Sequence, residues 1–191
     1  MRPPAILADD LTGALDTAAQ FTGRWPEVTV QHGVTGLPLQ PPCAISSETR
    51  DRPVDEAVVL SLAAARELQG GVTFRKIDSL LRGPWAAELA ALPRVGGFTH
   101  CVLAPAFPEQ GRVTRAGWQI SPGAAPVDIA AQLVREGLQA DGPVRIADAG
   151  TAADLAALVA REDAREPLWC GSAGLARALA GVPPRRPALP P

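Results

Sequence analysis

Six stretches of the sequence carry residues able to do chemistry, and each lies at the end of a short apolar run. Asp9 and Asp10 follow Ala5-Ile6-Leu7-Ala8. Glu48, Thr49 and Arg50 follow residues 43–47. Lys76, Asp78, Ser79 and Arg82 close the run at 72–77. Phe107, Glu109 and Arg112 follow residues 98–104, Asp148 follows 143–147, and Gly171, Ser172 and Gly174 follow 168–170. Such a set suits a small, polyhydroxylated anion. An arginine fork clamps a carboxylate through two parallel hydrogen bonds. Aspartates accept hydrogen bonds from hydroxyls, and a glycine-rich turn that opens a helix offers its free N–H groups to negative charge.

The weight of these residues differs. Asp9 and Asp10 are adjacent acids after an apolar strand. They repel each other, and a plain turn gains little from the second. Lys76 is the only lysine, against 17 arginines. At that position a compact point charge does something that an arginine fork does not. Lys76 and Asp78 are two apart, so they share a face if the strand continues, either as a site or as a structural ion pair. Asp148 fits a turn or cap as well as a site. Asp16, one turn into the first helix, is either a ligand contact or a solvated helix residue.

Several chemistries have no support. His32 and His100 stand far apart, in neither a nucleophile nor a metal pattern. No Gly-x-Ser-x-Gly elbow, paired metal ligands or Gly-Lys-Ser/Thr phosphate loop occurs. Cys43, Cys101 and Cys170 are odd in number and widely spaced, which reads as reduced, buried thiols in a reducing compartment. A net charge of −2 provides no basic face for nucleic acid. No apolar run approaches the roughly 18 residues of a membrane helix, and the amino terminus lacks the shape of a signal peptide. A cytoplasmic protein without a membrane or nucleic-acid partner is expected.

The elements that must position these residues alternate. Strands are expected at 5–8, 27–32, 43–47, 72–77, 98–104, 143–147 and 168–170. Helices are expected at 12–24, 54–68, 85–92, 127–138, from Thr151 with Asp154 as a capping-box acid, and from 171 to 180. Residues 105–126 read as a long irregular segment of the kind that forms a binding loop or lid. Strand–helix alternation of this kind specifies an α/β fold: an open, mostly parallel sheet with helices on both faces, Rossmann-like in three layers. In such sheets ligands bind beyond the carboxyl ends of the strands, where the six stretches fall. Residues 1–181 read as one domain, and 182–191, half proline, as a linker or tail.

Ala8-Asp9-Asp10-Leu11-Thr12-Gly13-Ala14-Leu15-Asp16-Thr17 resembles the opening motif of the four-carbon acid sugar kinases, which phosphorylate acids such as threonate, erythronate and 3-oxo-tetronate. Glu48-Thr49-Arg50, Lys76-Ile77-Asp78-Ser79-Leu80-Leu81-Arg82-Gly83, Ala104-Pro105-Ala106-Phe107-Pro108-Glu109-Gln110-Gly111-Arg112, Asp148-Ala149 and Gly171-Ser172-Ala173-Gly174-Leu175-Ala176 resemble the motifs that follow, in the same order. The resemblance implies a substrate site of Asp9, Asp10, Arg50, Lys76, Asp78, Ser79, Arg82 and Phe107. It implies Asp10, Lys76 and Asp78 as catalytic residues and Gly171, Ser172 and Gly174 on the anion or nucleotide side. It also implies ATP and Mg as the family's cofactors, and transfer of a phosphoryl group to an alcohol.

Two departures accompany the resemblance. Leu80 stands where the family usually carries threonine, so one hydroxyl contact is expected to be missing. The segment between Arg112 and Val127 is shorter than usual. The family's second, nucleotide-binding domain has no counterpart in the 191 residues. The chain is therefore expected to be the substrate domain of a kinase, inactive alone unless the nucleotide domain is supplied in trans. The alternative is a stand-alone sugar-acid-binding or sensor protein without catalysis.

Overall fold

The computed structural model describes residues 2–95, 100–139, 142–162 and 166–184. Its centre is a seven-stranded sheet formed by β1 (Ala5–Ala8), β2 (Thr29–His32), β3 (Cys43–Ser46), β4 (Phe74–Lys76), β5 (Cys101–Ala104), β9 (Val144–Ile146) and β10 (Leu168–Gly171). The order is β2-β3-β1-β4-β10-β5-β9, and every pairing is parallel. After β1 the chain builds one side of the sheet, then returns to place β4 against β1 on the other. The gap beyond the carboxyl ends of β1 and β4 is thus a topological switch point, where an open sheet leaves room for a ligand. The register Ala8↔Lys76 ends both strands at the same level.

Successive strand residues face opposite sides, and the core divides accordingly. Leu7, Ile45, Leu103 and Cys170 pack with α2 (Val54–Glu67), α3 (Trp85–Ala91) and α4 (Ile129–Arg135). Ile6, Ala44, Phe74, Val102 and Trp169 pack with α1 (Leu11–Phe21), α5 (Ala152–Glu162) and α6 (Ala173–Ala180). This is a three-layer α/β fold. Strands buried on both faces explain why the sequence shows apolar runs here rather than alternation. One polar link crosses the α2–α4 side. Arg75 and Glu88, both fully buried, form an ion pair of 2.6 Å, and Arg75 also donates to the Leu7 carbonyl at 3.2 Å. The pair ties α3 to β4 and β1, and with it the loop between β4 and α3.

The expected elements are present, most with shorter bounds, although β10 runs one residue longer than the expected 168–170, and the capping box is formed. Asp154 N donates to Thr151 Oγ1 at 3.1 Å, and Thr151 N donates to Asp154 Oδ2 at 2.9 Å. The expectation for 105–126 differs from the structure. Within that segment lies an antiparallel sheet of β6 (Val113–Arg115), β7 (Trp118–Ile120) and, beyond it, β8 (Val127–Asp128). Its hairpin turns on Ala116 and Gly117, both left-handed at φ 49 and 76, the geometry that matches strand twist. Alanine is a weak signal for such a turn. The expected helix at 127–138 begins with β8 and becomes helical only from Ile129 to Arg135. Of the expected 182–191 tail, 185–191 lie outside the described residues, as do 98 and 99 of the expected strand at 98–104.

Candidate functional site

Asp10 leaves β1 as the N-cap of α1. Its Oδ1 accepts the Gly13 N–H at 2.8 Å, relieving one of the donors that a helix start leaves free. Arg50 arrives from β3 through Glu48, whose φ of 56 is left-handed. The guanidinium spans both acids. Nε and Nη2 donate to Asp9 at 2.9 and 3.0 Å, and Nη1 and Nη2 donate to Asp10 at 2.6 and 2.8 Å. Four of its five N–H donors are thereby used, one remaining on Nη1. Burial alone would lower the Arg50 pKa, but the two aspartates outweigh it and hold the guanidinium firmly charged. The repulsion between adjacent acids is resolved by this one cation. Asp9, 1% exposed, lies beneath it and does not line the cavity.

Lys76, at the end of β4, is 6% exposed and makes no hydrogen bond or ion pair with any described residue. Burial pushes its ammonium below the ordinary 10.5, against the upward pull of Asp9, Asp10 and Asp78; Arg50 adds to the lowering. A buried charge without a partner is costly, so its persistence here needs a reason. Gly13 makes room for it: a methyl group at Gly13 would lie 2.8 Å from Nζ and 2.5 Å from Asp10 Oδ1.

The loop after β4 supplies the opposite wall. Asp78 holds Arg82 in a fork, Nε–Oδ2 2.6 Å and Nη2–Oδ1 3.1 Å. Burial would raise the Asp78 carboxyl, but the Arg82 hydrogen bond and the charges of Arg50 and Arg82 hold it below the usual carboxylate range. Leu81, at φ 58, and Gly83, at φ 77, turn the chain. A Cβ at Gly83 would lie 2.6 Å from the Arg50 carbonyl oxygen, so this loop packs directly on the Arg50 turn. Gln119 on β7, 1% exposed, donates to the Ser79 carbonyl at 2.8 Å and accepts from Thr114 Oγ1 at 2.8 Å. Ser79 Oγ accepts a hydrogen bond from Arg112 Nη1.

These groups line a cavity of about 180 Å³ with Thr12, Gly13, Asp16, Phe107, Gln110 and Ser172. Drug-sized ligand sites run to roughly 300–1,000 Å³, so this one suits a small metabolite. Asp10, Arg50, Lys76, Asp78, Ser79, Arg82 and Phe107 are thus brought together from four strand ends. Arg112, noted at the strand end but not assigned to the substrate site, belongs to the same wall, as do Thr12, Gly13 and Gln110. Gln110 and Arg112 sit two and four residues past Pro108, on a turn that closes by paired hydrogen bonds between Phe107 and Arg112. Leu80, the departure from the family pattern, is not among the lining residues.

Of the remaining candidates, Ser172 lines the cavity, while Asp148, Gly171 and Gly174 lie elsewhere. Asp148 accepts the Ala116 and Gly117 N–H groups at 2.5 and 3.1 Å and fastens the hairpin turn. Gly171 and Gly174 do not line the cavity. A Cβ at Gly171 would collide with the Ala104 carbonyl, and one at Gly174 would lie 3.1 Å from that of Ala106, so these glycines admit β5 rather than open a cradle. Ser172 Oγ, in turn, is committed to Ala106 O at 2.6 Å and to Gly174 N at 3.1 Å. Among the described residues no group of three or more His, Cys, Asp or Glu is placed to hold a metal. No described helix is long and apolar enough to cross a membrane.

Residues 4–128 match the family described as a sugar-binding N-terminal domain. The chain is 33% identical to a D-threonate kinase of Cupriavidus necator over 92% of its own length and 53% of that protein. It is 32% identical to a 3-oxo-tetronate kinase of Methylobacterium radiotolerans over 83% of its length and 43% of that protein. It therefore spans about half the length of these relatives. A Bordetella bronchiseptica structure, solved as a domain-swapped dimer with bound citrate, superposes with a TM-score of 0.75 at 25% identity, over 94% of this chain and 57% of that one. A Haemophilus influenzae structure reaches 0.78 at 21% identity, over 92% and 55%, a likeness of fold.

Proposed function

Because the chain belongs to the four-carbon acid sugar kinase family, through its sugar-binding N-terminal domain, we propose that its cavity binds a four-carbon sugar acid and that the domain serves as the substrate half of a kinase. The observation that carries this reading is Lys76: a buried ammonium, without a partner among the described residues, lining a small polar cavity. An anionic ligand supplies the missing countercharge. Asp10 and Asp78, both held as hydrogen-bond acceptors by arginines, orient the sugar hydroxyls. Asp10, Lys76 and Asp78 form the proposed chemical centre. Lys76 is placed to offset charge on an oxygen undergoing phosphorylation, since phosphoryl transfer depends mainly on positioning and charge stabilisation. ATP and Mg are the cofactors expected of the family. The nucleotide is assigned to a second domain, supplied in cis or in trans, because the glycine turn after β10 is packed against β5 and the loop that follows it. A cytoplasmic location accords with such a metabolic role.

The packed glycine turn favours one further reading: a binding protein that holds the same acid without turning it over. Thermal unfolding of the chain with D-threonate, erythronate and neutral threitol tests the shared premise. The acids should raise the unfolding temperature and threitol far less, and Lys76→Ala should abolish the response. Equal responses to acid and neutral ligand, or an undiminished response in Lys76→Ala, would refute the assignment.

A further inference from the structure

We infer that Arg112 is the residue that receives the ligand's carboxylate and so sets the preference for sugar acids over neutral sugars. The inference rests on the sugar-acid reading above and names which cation performs the recognition.

Three guanidinium groups line the cavity: Arg50, Arg82 and Arg112. A carboxylate is gripped best by two parallel N–H donors on one edge of the fork. On Arg50 four donors are spent on Asp9 and Asp10. On Arg82 the Nε–Nη2 edge is spent on Asp78, and the side chain is 60% exposed, pointing largely to water. Arg112 differs from both. It makes no ion pair with a described carboxylate, and its one side-chain hydrogen bond goes to the neutral Ser79 hydroxyl through Nη1. Its Nε–Nη2 edge is left for a ligand.

The surroundings hold Arg112 ready. Phe107 N donates to Arg112 O at 2.8 Å, and Arg112 N donates to Phe107 O at 3.2 Å. Gly111, left-handed at φ 70, closes the turn between them. The backbone of Arg112 is thereby fixed on the loop that follows β5, while Gln119 fixes the Ser79 carbonyl from the hairpin sheet. Ser79 Oγ accepts from Arg112, so its own proton is free to donate to a second ligand oxygen. Lys76 lines the same cavity as a compact charge for a hydroxyl or for the oxygen undergoing reaction. One fork for the carboxylate and one point charge for the rest matches a hydroxy acid of a few carbons, and it explains why two cations in one cavity make no ion pair with a described carboxylate.

The test is calorimetric titration of the chain with D-threonate, using the native protein, Arg112→Lys and Arg112→Gln, alongside a crystal structure of the threonate complex. Loss of hydrogen bonds to a charged group corresponds to about a 10- to 100-fold loss of affinity. Arg112→Gln should show that loss. Arg112→Lys, which keeps the charge but not the fork, should fall between it and native. Unfolding temperatures without ligand should stay close to native, since only one side-chain hydrogen bond is removed. In the complex the carboxylate should lie on Arg112. Unchanged affinity in Arg112→Gln, or a carboxylate seated on Lys76 or Arg82 with Arg112 still on Ser79 alone, overturns the inference and leaves the sugar-acid reading standing. Failure of the native chain to bind any tetronate overturns both.

Discussion

At the scale of single residues, the site is a matter of which charges are already satisfied. Arg50 spends four donors and Arg82 its Nε–Nη2 edge on aspartates, so both hold acids in place. Lys76 is held in reserve, and its burial lowers its pKa below 10.5. The sign of the pH effect follows from this. An anion binds the protonated lysine, and its carboxylate stays ionised throughout the alkaline range. Affinity for threonate should therefore hold at neutral pH and fall as pH rises through a midpoint below that of an ordinary lysine. Beyond the midpoint the fall approaches roughly tenfold per pH unit, the slope of one linked proton. Titrations across the alkaline range test this, and a profile flat up to the ordinary lysine value would contradict it. Because Lys76 is the sole lysine, an amine-selective label read by mass spectrometry reports the same titration directly.

At the scale of elements, the loop between β4 and α3 carries Asp78, Ser79 and Arg82, and its carboxyl-terminal anchor is the buried Arg75–Glu88 pair. Removing one partner leaves an uncompensated charge, at a cost of about 3–5 kcal/mol, whereas replacing both with apolar residues of similar volume is often close to neutral. Glu88→Ala should thus unfold at much lower denaturant than native. Arg75→Met with Glu88→Leu should recover most of the loss in a urea titration. If the double variant is as unstable as the single one, the pair is worth more than its desolvation, and the link from Arg75 to the Leu7 carbonyl becomes essential to the sheet. The hairpin sheet has a comparable duty. Gln119 bonds the Ser79 carbonyl, and Asp148 ties down the hairpin turn.

For the whole molecule, the sheet's switch point carries the small polar cavity proposed above to take the sugar acid. The chain by itself is expected to bind a tetronate but to yield no phosphorylated product with Mg-ATP. Binding at a hundred times the dissociation constant adds about 2.7 kcal/mol to the folded state. For a chain of this size that corresponds to a rise of roughly 5–10 °C in unfolding temperature. Detection of a phosphotetronate from the purified chain, by phosphorus NMR or coupled assay, would contradict the expectation.

Much of this was legible in the residues themselves. Apolar runs and helical spacings specify the alternating α/β order because strands buried on both faces must be apolar throughout, and the acids, arginines and lysine that end those runs must gather at one edge. Thr151 and Asp154 announce a helix start because a capping box is local in sequence. Three things were decided only by the tertiary structure. Arg50 is turned inward onto Asp9 and Asp10, Arg112 is left with a free edge, and the stretch after β5 folds into a small antiparallel sheet on an Ala116-Gly117 turn. The reason is physical. Which donor meets which acceptor depends on distances between segments about 30 or more positions apart in the chain, and such distances are set by strand order and loop packing, quantities that periodicity and composition do not encode.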